Sequence, residues 1–218
     1  MRGHSRPRSV RMAGSEYGSI GRARARSDSR PNRRYTTMYN ASMHLHRGNL
    51  FLVGMPGCGK STLGRMLARR LDKPFFDADV ELERRLGVTI PVIFELEGEP
   101  GFREREATVL ADLVVQSNIV LSTGGGVVLR PANRERLKQA GTVLYLHAAP
   151  ATLWERTRHS KHRPLLQAPD PFVRVQELYA ARDSLYREVA DVVVDSDREQ
   201  VSRLAHRLEQ QLRSAARA

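Results

Sequence analysis

The run GMPGCGKST, residues 54–62, sets three glycines and a lysine between the apolar residues Leu50–Val53 and an amphipathic segment from Ser61. Gly54-x4-Gly59-Lys60-Ser61 has the spacing of a loop whose bare backbone N–H groups converge on a phosphate chain at the positive end of the following helix. Lys60 would reach the β and γ phosphates, and the Ser61 hydroxyl would ligate Mg²⁺. The expected ATP contacts in this loop are Gly57, Cys58, Gly59, Lys60, Ser61 and Thr62. Cys58, the one cysteine, lies inside the loop, either as a small space-filling side chain or as a thiol facing the helix N-terminus.

Three further stretches bear on where a phosphate would go. FFDADVELE (75–83) ends an apolar run in Asp77 and Asp79, and carboxylates at the carboxyl end of a parallel strand project into the ligand crevice. One can sit near the metal, Asp77 through water, while the other faces an acceptor hydroxyl. PGFREREATVL (100–110) opens a helix with Arg103 and Arg105 among glutamates. IVLSTGGGVVL (119–129) follows a buried strand with Gly124, Gly125 and Gly126, which permit close backbone approach to a small ligand. Each also has a plain structural reading: a helix cap, a salt-bridged first turn, a strand-ending turn. The polar, basic stretch TRHSKHRPLLQAPD (157–170) reads as a lid that excludes competing water, or as a surface loop.

Taken together, these motifs resemble the shikimate kinases over about residues 48 to 212. The resemblance rests on the phosphate loop, D-x-D at 77–79, F-R-x-x-E at 102–106, T-G-G-G at 123–126, RPLL at 163–166 and ARDSLYREVAD at 181–191. It implies ATP-dependent phosphorylation of the 3-hydroxyl of shikimate, in the chorismate and aromatic amino acid pathway. Asp79 would bind the acceptor's hydroxyls, Arg103 and Arg182 its carboxylate, and Gly124, Gly125 and Gly126 would contact the same ligand. Arg163 would belong to a lid over the phosphates, and Arg156 would pack on the adenine. The residues agree: planar arginine forks suit a carboxylate, and Asp79 can accept a hydroxyl proton. Lys60, Arg163 and Mg²⁺ would neutralise charge during transfer.

Positioning these residues requires strands alternating with helices. Expected strands are Leu50–Gly54, Pro74–Phe76, Ile119–Ser122, Val143–Leu146 and Val192–Val194, apolar as strands covered on both faces should be. Helices are expected at Ser61–Leu71, Val80–Arg85, Arg103–Val115, Ala132–Gln139, Ala151–Arg158, Val173–Val189 and Glu199–Leu212. The alternation predicts a three-layer α/β fold of the phosphate-loop kinase type, with a five-stranded parallel sheet flanked by helices, over residues 49–213.

The 218 residues allow one well-buried domain. Residues 1–48 contain eleven arginines against Glu16 and Asp28, so nine of the twelve net positive charges lie there. That composition predicts a disordered extension. It is open to three readings: a solvated segment ahead of a start at Met38 or Met43, a transit peptide, or a phosphate-binding arm. The body has no apolar run long enough to span a bilayer, and a lone cysteine fits a reducing cytosol. A cytoplasmic monomer is expected, with no obligatory nucleic acid or membrane partner. Two rivals stay open: another small-molecule kinase such as gluconate kinase, and a nucleic-acid-stimulated ATPase that uses the tail.

Overall fold

The computed structural model describes residues 48–158, 170–197 and 199–215, which belong to one compact unit. The expectations for the N-terminal tail, and for the lid apart from Thr157, Arg158 and Asp170, lie outside the described residues.

Five strands form one parallel sheet: β1 (Asn49–Val53), β2 (Phe75–Asp77), β3 (Val120–Ser122), β4 (Gly141–His147) and β5 (Val192–Asp195), in the order β2-β3-β1-β4-β5. β1 is central and wholly buried, as its uninterrupted apolar run demands. Helices α1 (Lys60–Leu71) and α7 (Val201–Ala215) pack together, and α1 covers β1 to β3. On the opposite face lie α4 (Pro131–Ala140) and α6 (Pro171–Val189), with α5 (Pro150–Thr157) against α6. The pair α2 (Ala78–Leu86) and α3 (Ile90–Val114) closes the β2 end.

All five expected strands and seven expected helices form, most within one to three residues of the expected bounds. The exception is α3, which begins thirteen residues before the expected Arg103. Pro91, Gly98 and Pro100 suggest a loop there, but Pro91 occupies the first turn, where its missing N–H costs nothing. Gly98, at φ 66° and ψ −175°, then breaks the helix into two arms joined at an angle.

The sheet's carboxyl edge builds the site. β1 runs into the 54–59 loop, β2 ends at Asp77, and β3 ends at Ser122, ahead of Thr123–Gly126. Thr123 ties two of these ends together, donating from its N–H (3.1 Å) and its Oγ1 (2.9 Å) to the Leu52 carbonyl.

Candidate active site

The 54–59 loop takes backbone angles that only glycine adopts without strain, with φ 144° at Gly54, 87° at Gly57 and 101° at Gly59. A Cβ on Gly57 would in addition collide with the Thr157 methyl. Gly59 caps α1, so the first N–H groups of that helix open into a cavity of about 1060 Å³. Lys60 is only 8% exposed, and its Nζ donates to the carbonyls of Gly54 (2.9 Å) and Met55 (3.1 Å).

At the next strand end, Ser61 Oγ donates to Asp77 Oδ2 at 2.6 Å and lies 3.2 Å from Ser122 Oγ. Asp77 also caps α2, with Oδ1 accepting from the Asp79 N–H at 3.2 Å. That cap aims Asp79 toward the glycine run, where a Cβ on Gly124 would meet Asp79 Oδ1 at 2.9 Å. Burial above all, then the charges of Asp77 and Glu106, push the Asp79 carboxyl up to about 6, against the opposing pull of Lys60 and Arg103.

Opposite stands an arginine pair. Arg103 on α3 is held by two carboxylates one turn away on either side. Nε and Nη2 donate to Glu99 Oε1 (3.2 and 2.8 Å), and Nη1 donates to Glu106 Oε2 (2.8 Å). Three of its five N–H donors are thus engaged, leaving one on each terminal nitrogen. Desolvation works against the Arg103 charge, but the field of Glu106 and its bonds to both glutamates hold the guanidinium above its ordinary range. Glu106 is buried, its Oε1 has no hydrogen-bond partner among the described residues, and burial raises its carboxyl against the pull of Arg103.

Arg182 on α6 is 3% exposed, yet among the described residues no carboxylate lies within ion-pair distance of it. Its Nη1 donates to the Gly125 carbonyl at 3.3 Å, and burial lowers its basicity.

The three glycines have separate steric reasons. A Cβ on Gly124 would strike Glu106 Oε1, one on Gly125 would meet Pro56 Cδ at 2.7 Å, and one on Gly126 would strike the Arg103 guanidinium.

Thus Gly57, Gly59, Lys60, Ser61, Thr62, Asp77, Asp79, Arg103, Gly124, Gly125, Gly126, Arg156 and Arg182 border one cavity. Arg156 lies beside Gly57 of the phosphate-type loop, bonded to Ser196 Oγ (3.2 Å) and the Ser196 carbonyl (3.1 Å). The Cys58 thiol is not part of that border. It is 1% exposed, packed in the core beside Gly54, and the Cys58 N–H donates to Met55 O. Arg163 lies outside the described residues.

Sequence reasoning singled out neither Glu99, Glu106 nor Tyr186 for a role. The signal for the glutamates was their spacing from Arg103, four before and three after, which sets all three on one helical face.

A phosphate-type loop facing an arginine-lined, carboxylate-bearing acceptor pocket across one cavity defines a nucleotide-dependent phosphotransferase acting on a small anionic molecule. Comparison with known proteins gives the particular family. The family described as shikimate kinase matches residues 56–213. A shikimate kinase of Cupriavidus pinatubonensis is 57% identical over 173 residues, covering 79% of this chain and 90% of that protein. One of Dechloromonas aromatica is 58% identical over 150 residues, covering 69% and 82%. Among solved structures, the shikimate kinase from Acinetobacter baumannii in complex with shikimate matches at TM-score 0.74 and 45% identity, covering 76% of this chain and 93% of that one. The chain belongs to the shikimate kinase family.

Proposed function

We propose that the chain transfers the γ-phosphoryl group of ATP to the 3-hydroxyl of shikimate, giving ADP and shikimate 3-phosphate. The observation that carries the acceptor assignment is Arg182: a buried cation bordering the cavity, with no carboxylate paired to it among the described residues. Such a group is stabilised by an anion delivered as ligand. The free N–H groups of Arg103 supply a second anchor, so a carboxylate bound between them is fixed by planar, charge-assisted bonds.

With the carboxylate held there, a ring hydroxyl lies toward Asp79. Asp79 orients that hydroxyl and accepts its proton as the oxygen bonds to the γ phosphorus and the bond to the β-phosphate oxygen breaks. Lys60, here bonded to the Gly54 and Met55 carbonyls, would turn to the phosphates and neutralise them. Arg156 would pack on the adenine, as the family resemblance implies, and Arg163 would cover the phosphates from the lid.

Mg²⁺ fits the donor set. Ser61 Oγ and Asp77 Oδ2 are hard oxygens already 2.6 Å apart, and too few to dehydrate the ion, which suits a metal that keeps its waters. Ser61 would ligate it directly and Asp77 through water. When bound, Mg²⁺ would supply charge neutralisation for the transferred phosphoryl group.

Among the described residues no helix is long and apolar enough to cross a membrane. A cytoplasmic, monomeric enzyme remains part of the proposal.

The direct test is ADP release, coupled to NADH oxidation, with ATP, Mg²⁺ and either shikimate or gluconate. Turnover with shikimate and not with gluconate is expected. Faster turnover of gluconate would overturn the assignment of the acceptor.

A further inference from the structure

Tyr186 lies one helical turn beyond Arg182 on α6 and is wholly buried, its ring stacked on Tyr145 of β4 at 4.9 Å between centroids. Its hydroxyl donates to the Gly125 carbonyl and lies 3.8 Å from Met55 Sδ in the phosphate loop. Burial, chiefly, raises its pKa, so the group stays a donor throughout the working pH range. The Gly125 carbonyl therefore has two donors: the tyrosine hydroxyl, held close, and Arg182 Nη1, at 3.3 Å.

A carbonyl oxygen offers two lone pairs, and a buried one draws in the nearest donor when it is left short. The tyrosine bond is the close one of the two and the Arg182 bond, at 3.3 Å, the weak one, so little of the guanidinium's bonding is committed to the protein's own backbone. The same bond holds Gly125 against Pro56, where the two loops meet. Resting on the acceptor reading above, we infer that Tyr186 is a positioning residue for shikimate: it satisfies the Gly125 carbonyl and thereby keeps the Arg182 guanidinium available to the acceptor's carboxylate.

Tyr186→Phe removes one oxygen and keeps the stacked ring. If Tyr186 acts through Arg182, the variant's KM for shikimate should rise about tenfold, while kcat and the KM for ATP stay within about threefold. The distinguishing readout is the cycle with Arg182→Ala: in that background Tyr186→Phe should add almost nothing, because its effect runs through the missing guanidinium. A purely structural tyrosine would lower the Tm and leave the shikimate KM unchanged, or would act additively with Arg182→Ala; either result overturns the inference. Should the variant fold poorly, amide hydrogen exchange on the wild type and Arg182→Ala asks the same question. At saturating shikimate the protection over residues 123–127 should be greater in the wild type than in Arg182→Ala, and equal protection in the two would overturn the coupling through Gly125. If the wild type does not turn over shikimate at all, the acceptor reading fails instead.

Discussion

Asp79 is the residue whose environment says most about chemistry. A carboxyl titrating at about 6 is ionised at neutral pH, yet basic enough to accept a hydroxyl proton usefully. The rate kcat/KM should therefore be level above about pH 7 and fall roughly tenfold per pH unit below about 6. The same shift costs stability. A carboxyl raised in the folded state from its ordinary 3.8 favours folding while it is neutral. That contribution is complete below the unfolded value and lost as pH rises through about 6. Asp79→Asn should lower kcat by about 10²–10⁴-fold with little change in the KM for ATP. At pH 8 it should also raise unfolding stability by on the order of 1–3 kcal/mol, a gain that vanishes near pH 4. Urea unfolding at the two pH values measures it. The two arginines should differ in a parallel way. Arg103→Ala and Arg182→Ala should each raise the shikimate KM about 10- to 100-fold. Only Arg103→Ala strands the buried Glu106, so it alone should cost on the order of 3–5 kcal/mol of stability, whereas Arg182→Ala removes an unpaired cation.

At the level of elements, each half of the site depends on a close backbone approach. The bare backbone of the TGGG turn after β3 lies directly against the Arg103, Glu106 and Pro56 side chains, so it joins α3 to the phosphate loop. Gly126→Ala would force Arg103 aside, and the shikimate KM should rise at least about tenfold while the KM for ATP holds. Gly57→Ala should do the reverse, because its left-handed backbone and its closeness to Thr157 shape the phosphate loop, the proposed nucleotide side. Steady-state titration of both substrates with both variants checks the pair. If both variants impaired the same substrate, the division of the cavity into two halves would be wrong. The kink in α3 follows the same logic: Gly98 turns the chain so that Glu99 begins the arm carrying Arg103 and Glu106.

At the scale of the whole molecule, the sheet order puts β1 between β3 and β4, so the phosphate loop emerges beside the glycine turn. α6 returns across the same face and delivers Arg182 from far along the chain. Every described residue of the site belongs to this one unit, and none of those proposed precedes Gly57. Removing residues 1–42, so that translation starts at Met43, should leave kcat and both KM values within about twofold. A tenfold loss would show that the tail contributes to folding or to the site.

What could be read in the chain alone was local. The phosphate loop, Asp77 with Asp79, and the glycine run each pack their chemistry into a few consecutive residues, and runs such as Leu50–Val53 show their burial by composition. Resemblance added Arg103 and Arg182 as a pair. Tertiary structure decided the rest, because it depended on partners distant in sequence. Ser61 meets Asp77 and Ser122 only because β2, β3 and β1 share a register at their carboxyl ends. The first arm of α3 was hidden because Pro91 and Gly98 break helices on average, and only packing shows a proline harmless in a first turn and a glycine serving as a joint. The inward turn of Cys58, the unpaired Glu106 oxygen and the bond from Tyr186 to Gly125 are likewise invisible in sequence. They follow from how closely three separate segments approach one another, and that distance is set by the packed core beneath them.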